Sequence, residues 1–134
     1  MPELVIFPDA EAWVCSYLSA QLQARPEAYT ADVYVSNAVP NRRLDRMVIV
    51  RRDGGARLDV AREIARMGIR VFAPSDAEAS DLTQMVRALL AASVGQGPVR
   101  RYVEIAGPSR LLEESRHPLR YFTAELTIRG SAAS

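Results

Sequence analysis

The sequence predicts an α+β fold, a single mixed or antiparallel β-sheet with two main helices packed on one face. Two observations carry that reading. Apolar residues recur at helical spacing in two segments that begin on capping residues, and between and after them the apolar period drops to two. At 134 residues the chain fits one domain, 1–134, with 130–134 expected to be a loose tail.

The first helix is expected from about Asp9 to Ala24. Asp9 follows Pro8 and is placed to cap the free amides, and Glu11 favours the positive end of the helix dipole. Val14, Leu18 and Leu22 recur at spacing four, with Trp13 and Tyr17 alongside, and Arg25-Pro26 ends the pattern. The second helix opens on Ser75-Asp76-Ala77-Glu78, a capping-box arrangement. Leu82, Val86, Leu89 and Leu90 form its apolar face, Ala79 and Met85 its border, and Gly95, Gly97 and Pro98 stop it.

Strands are expected at Asp32-Val33-Tyr34-Val35, Met47-Val48-Ile49-Val50, Ile69-Arg70-Val71-Phe72-Ala73 and Val99 to Ile105. The clearest is Arg120 to Arg129: Phe122, Ala124, Leu126 and Ile128 face one side, and Tyr121, Thr123, Glu125 and Thr127 the other. One side goes to a core; the other meets solvent or a partner. Asp53-Gly54-Gly55 reads as a turn. Leu58 to Met67 has good helix formers but leads through Gly68 into a strand, so it reads as a short helix or a long link.

Composition narrows the function. The chain is 49% apolar and 25% charged, the balance of a folded domain. No apolar run approaches the roughly 20 residues that span a bilayer. The start, Met1-Pro2-Glu3-Leu4-Val5-Ile6-Phe7, lacks a basic region and a cleavage site, so neither a membrane partner nor secretion is expected. Cys15 and His117 are the only residues of their types. That excludes an intrachain disulfide, cysteine-clustered or paired-histidine metal sites, and most histidine-rich catalytic arrangements.

The remaining catalytic candidates are weak. Cys15 sits mid-helix with no histidine near it in sequence, which suits a small semi-buried residue better than a nucleophile. His117, between Arg116 and Pro118, suits a surface position or a polar interface contact. Glu113-Glu114 suits solvated acids, since nothing nearby would raise a carboxyl pKa. Gly95-Gln96-Gly97 follows a helix rather than opening one, and Asp53-Gly54-Gly55 lacks the lysine and spacing of a phosphate loop. No enzyme and no cofactor is expected.

Charge is the remaining signal. All 17 basic residues are arginine, a pattern that matches the coding bias of a GC-rich genome. Residues 1–41 carry one arginine against five carboxylates, a net of −4. Residues 42–70 carry nine arginines against four carboxylates, a net of +5, and the rest balances. Arg42, Arg43, Arg46, Arg51, Arg52 and Arg57 are the candidate site. Three uses fit them: phosphate binding, inter-subunit salt bridges, or a solvated hairpin. Residues 42–57 contain no aromatic to stack on bases, and the whole chain is only +1, which weighs against sequence-specific nucleic-acid binding. Arginine's planar fork favours carboxylates at protein interfaces, so the subunit-interface reading carries more weight.

The layout resembles the tail terminator proteins of long-tailed, siphovirus-type bacteriophages over roughly Asp9 to Arg129. The resemblance rests on the N-terminal helix, the apolar strand running into Arg51-Arg52-Asp53-Gly54-Gly55, and the strand ending Val71-Phe72-Ala73-Pro74. It continues with the capped helix Ser75-x-x-Glu78 carrying Val86-Arg87-Ala88-Leu89-Leu90, a glycine break, a strand, a proline-bearing loop, and Arg120-Tyr121-Phe122-Thr123 opening the last strand. Segment 58–67 departs from the pattern, because in that family the region looks like a variable link.

The resemblance implies a structural virion protein assembled in the host cytoplasm and sited at the head-proximal end of the tail. It implies a homo-oligomeric ring, a hexamer, that caps the tail tube, stops its growth and presents a surface to head-completion or connector proteins. Genomic DNA would pass through the lumen without specific binding. On that reading most of Arg42 to Arg57 meets a neighbouring subunit or the tail-tube protein, and Arg51→Glu with Arg52→Glu weakens assembly while the monomer stays folded. The competing classes are another phage neck component, such as a head-completion or adaptor protein, and a nucleic-acid-binding α+β module.

Overall fold

The computed structural model describes residues 4–111 and 117–133; the Glu113-Glu114 pair and the first three residues lie outside that range. The elements run β1 (Val5–Ile6), α1 (Ala10–Gln23), a 3-10 turn (Ala28–Thr30), β2 (Tyr34–Ser36), β3 (Met47–Arg57), β4 (Arg62–Phe72), α2 (Asp76–Ala92), β5 (Val99–Arg110), β6 (Leu119–Arg129) and β7 (Ser131–Ala132). The fold is α+β, as expected. Its main sheet has the order β2-β3-β4-β6-β5, with β2 parallel to β3 and every other pairing antiparallel.

Both helices start where the sequence places them. The Asp9 carboxylate accepts the Ala12 amide at 3.0 Å, and the Ser75 hydroxyl accepts the Glu78 amide at 3.2 Å. Ala10, Val14, Leu18 and Leu22 of α1 are buried. On α2 the buried set is Ala79, Leu82, Thr83, Val86 and Leu90. Thr83 joins the fully buried set, and Leu89 packs half-buried against it. The Thr83 hydroxyl donates to the Ala79 carbonyl at 2.6 Å, which lets a polar side chain sit in the core without losing a hydrogen bond.

The helices cover one face of the sheet. Under them lie Val48 and Val50 of β3, Ala65, Met67, Ile69 and Val71 of β4, and Phe122, Leu126 and Ile128 of β6. The alternate residues point the other way, to a face that no helix covers. Only one corner of that bare face is apolar: Met47, Ile49, Phe72 and Leu119 cluster there with Tyr34 packed against them.

Three local expectations are corrected. Residues 58–67 form neither a helix nor a link, because β4 begins at Arg62 and pairs along its whole length with both β3 and β6. Its odd-numbered residues alternate into the core, and pairing on two sides outweighs helix propensity. Asp53-Gly54-Gly55 is not the hairpin turn either. It holds a β-bulge between Arg52 and Gly54, and β3 runs on to Arg57. Gly55, at φ +120, lies so close to β4 that a Cβ there would sit 1.9 Å from the Ile64 carbonyl oxygen. The turn itself falls at 58–61, where the Asp59 carboxylate accepts the amides of Ala61 (3.0 Å) and Arg62 (2.8 Å). Finally, the tail is partly ordered: Ser131–Ala132 pairs with Val5–Ile6 as a second, two-stranded sheet.

Candidate interaction surface: the arginines and the bare face of the sheet

The six arginines singled out from the sequence are divided by the sheet. Because side chains alternate along β3, Arg51 and Arg52 point to opposite faces. Arg52, on the helix side, is committed within the chain. Its guanidinium reaches Glu63 at 2.8 Å and the Gly54 carbonyl at 3.0 Å, while its amide donates to Glu11 of α1 at 2.7 Å. Arg46 is committed too, to Glu78 of α2 at 2.8 Å and to the Ala31 carbonyl at 3.3 Å. Arg57 stacks over the Phe7 ring at 5.0 Å, and Arg43 over the Phe72 ring at 5.4 Å. Arg42 and Arg51 are exposed and form no ion pair among the described residues.

Arg51 opens into a shallow cleft of about 180 Å³ on the bare face, lined by Ile49, Arg52, Asp53, Gly68, Arg70 and Tyr121 as well. The strand register builds it. Ile49, Arg70 and Tyr121 form one cross-strand row, and Arg51, Gly68 and Thr123 form the next. The Arg70 guanidinium lies over the Tyr121 ring at 5.9 Å. Gly68 is the floor: a Cβ there would come within 2.6 Å of the Asp53 carboxylate and 3.0 Å of the Tyr121 hydroxyl.

The strand register groups the arginines differently from their order in the sequence. Arg70, Gly68 and Tyr121 lie outside the 42–57 window, yet they complete the cleft that Arg51 begins. The signal that finds them is the period of two: Tyr121 stands on the face of the last strand read as meeting solvent or a partner.

Two further candidates, Cys15 and His117, sit away from this cleft. The Cys15 thiol is pushed up to about 11, chiefly by burial and then by the carboxylates of Glu11 and Asp9, so it stays protonated at neutral pH. His117 packs edge-on to Phe72, ring centres 6.4 Å apart. Among the described residues no group of three or more acidic, histidine or cysteine side chains is placed to hold a metal ion. No helix among them is long and apolar enough to cross a membrane.

Across the sheet, Glu104 of β5 receives a two-pronged contact from Arg87 of α2, at 2.5 and 2.7 Å, and the Tyr102 hydroxyl at 3.0 Å. The Arg87 hydrogen bonds hold the Glu104 carboxyl below the usual range against a desolvation that opposes them. Burial first, and then the bond to Glu104, raise Tyr102. At the N-terminus of α2, Arg120 and Arg110 hold Asp76 below its usual range, with the Arg120 hydrogen bond foremost.

The fold has a solved counterpart. A chain in the structure of the virion of a native gene transfer agent (GTA) particle superposes with a TM-score of 0.68 at 18% identity. The match covers 92% of this chain and 100% of that one. At that identity the likeness establishes a shared α+β fold. No family model and no curated protein matches the sequence.

Proposed function

We propose that this chain is a structural virion protein and, within that class, a tail terminator: a ring-forming subunit that caps the tail tube and offers its far side to head-completion proteins. The observation that carries the reading is the fold shared over the full length of a chain from a virion particle. The layout resemblance described from the sequence points the same way. The chemistry is compatible with it, since burial pushes the thiol of the one cysteine up and the polar groups of the Arg51 cleft are spread over a shallow surface. Function here is geometric: a ring needs two different patches per subunit, joined head to tail, and a rotation that closes.

The test is the solution mass by light scattering over a concentration series, with and without purified tail-tube protein of the same virus. A ring formed alone, or a monomer that becomes a ring only on tubes, supports the terminator. A monomer that ignores tubes and binds the portal side instead overturns it in favour of a head-completion or adaptor protein.

A further inference from the structure

The two sides of this molecule carry opposite leftover charge. Among the described residues, Arg51, Arg70 and Arg101 of the bare face form no ion pair. The register places Arg51 beside Gly68, Arg70 beside Tyr121, and Arg101 beside Thr127, all pointing away from the helices.

Three leftover carboxylates lie toward the helix layer, and one, Asp53, lines the cleft itself. Arg46 ties the Ala31 carbonyl to Glu78 of α2. Asp32 follows Ala31 in the chain, Asp45 precedes Arg46, and Asp81 stands three residues beyond Glu78 on the same side of the helix. All three are exposed and none forms an ion pair among the described residues. Of the carboxylates near this corner in the chain or on the helix, Glu78 is the one that Arg46 neutralises.

The geometry points to a specific contact between copies: the Arg51–Arg70–Tyr121 cleft of one subunit receives the Asp32–Asp45–Asp81 corner of the next. The inference rests on the ring proposed above and names its two patches. Charge complementarity selects a second copy as the occupant. The chain is nearly neutral overall, yet among the described residues the arginines left over on the bare face outnumber the one leftover carboxylate there, Asp53. Asp32, Asp45 and Asp81 lie near the Arg46–Glu78 pair, and two unlike patches are what head-to-tail association requires. A nucleic-acid backbone is the poorer occupant. The neighbouring Arg66 is already held by Glu125 at 3.2 Å, and the Tyr121 ring face is taken by Arg70, so neither extends a basic, base-stacking track beyond the cleft. What is left is a pocket with two guanidinium forks and a phenol, sized for carboxylate side chains rather than a continuous run of phosphates.

Two variants test it together. One carries Arg51→Glu with Arg70→Glu, so both of its patches are acidic; the other carries Asp45→Arg with Asp81→Arg, so both are basic. All four positions are exposed, and circular dichroism with thermal melting checks that each variant folds. Each alone should assemble roughly a hundredfold more weakly than the wild type, because like charges then face each other at every joint. A one-to-one mixture should assemble again, in alternating order, in the same light-scattering assay with and without tubes. Either variant assembling like the wild type, or a folded mixture that stays monomeric, overturns the contact. If instead the wild type never forms a ring, alone or on tubes, the terminator reading fails and the contact with it. An affinity for DNA lost in the acidic variant, with its ring intact, would assign the cleft to nucleic acid.

Discussion

On the helix-covered face of the sheet, Arg46, Arg52 and Arg87 each meet a carboxylate supplied by another element: Glu78, Glu63 and Glu104. On the bare face, Arg51, Arg70 and Arg101 meet none among the described residues. The difference follows from solvent. A guanidinium wedged between helix and sheet loses much of its hydration and must be given a hydrogen-bonded counter-charge, or the layer is destabilised. A guanidinium on an open sheet keeps its water and needs no partner for the fold's sake. Pairing on the covered side therefore reports on stability, whereas the unpaired arginines on the bare side are free to serve something outside the chain.

The largest expected contrast lies in the apolar packing beneath those charges. Ile69 is fully buried against the helices, and Thr123, on the adjacent strand, faces away from them. Ile69→Ala should cost about 2–5 kcal/mol in urea denaturation, and Thr123→Ala no more than about 0.5 kcal/mol. Equal losses would mean that the bare face is packed as the covered one is. The next contrast sits on adjacent residues of one strand. Arg52→Ala removes a half-buried pair and the contact to the bulge, so it should cost about 1–2 kcal/mol, while Arg51→Ala stays within about 0.5 kcal/mol. This pair also explains why the double charge reversal at 51 and 52 is a poor test of assembly. Its Arg52 half disturbs the Glu63 pair and the bulge, and loss of assembly would then follow from a damaged fold.

Much of the architecture was legible because it is written in short-range chemistry. Asp9 and Ser75 mark their helices by the hydrogen bonds they accept, and Phe122, Ala124, Leu126 and Ile128 mark a strand by simple alternation. Segment 58–67 was not legible for a physical reason. Its residues are individually good helix formers, and β pairing to partners on both sides, Gly54–Arg57 and Glu125–Arg129 among them, decides the outcome. Likewise, two glycines after an aspartate look like a turn until the close approach of β4 shows them to be a bulge. The cleft was half legible. Arg51 was singled out with five neighbours in sequence, but its real neighbours, Arg70 and Tyr121, come from strands 19 and 70 residues away, by difference of residue number.

A smaller effect separates the faces by pH. Arg87 holds Glu104 below the usual carboxylate range in the folded chain. The stability this provides is complete above the unfolded carboxyl's pKa, about 4.3, and is lost as pH falls through the lower folded value. Glu104→Gln should therefore be less stable than the wild type near neutral pH, with the gap closing below about pH 4. Arg70→Met, which removes a charge with no carboxylate partner among the described residues, should leave the shape of the acid-unfolding profile unchanged. Urea midpoints measured across that range decide the matter. A profile altered as much by Arg70→Met as by Glu104→Gln would show that Arg70 holds an ion pair of its own in solution.

A small change in stability is also expected at Gly68, and it is the sharpest probe of the cleft. The glycine is buried, it is not in the left-handed region, and the atoms a methyl group would meet are the ends of Asp53 and Tyr121. Both are ends of side chains rather than backbone, so they can give way, with the Arg70 guanidinium over the Tyr121 ring moving along. Gly68→Ala should thus leave stability within about 1 kcal/mol of the wild type, the lost contact being offset by the lower chain entropy of alanine when unfolded. Its effect on assembly should be larger, since the methyl group fills the floor between Arg51 and Arg70. Thermal melting and light scattering on the same sample separate the two. A cleft that matters gives a stable protein that assembles poorly. A cleft that is only a gap in the surface gives a stable protein that assembles as before. A loss of stability on the scale of Ile69→Ala would mean that Asp53 and Tyr121 are locked in place, and that the bare face is bare of helices but not of structure.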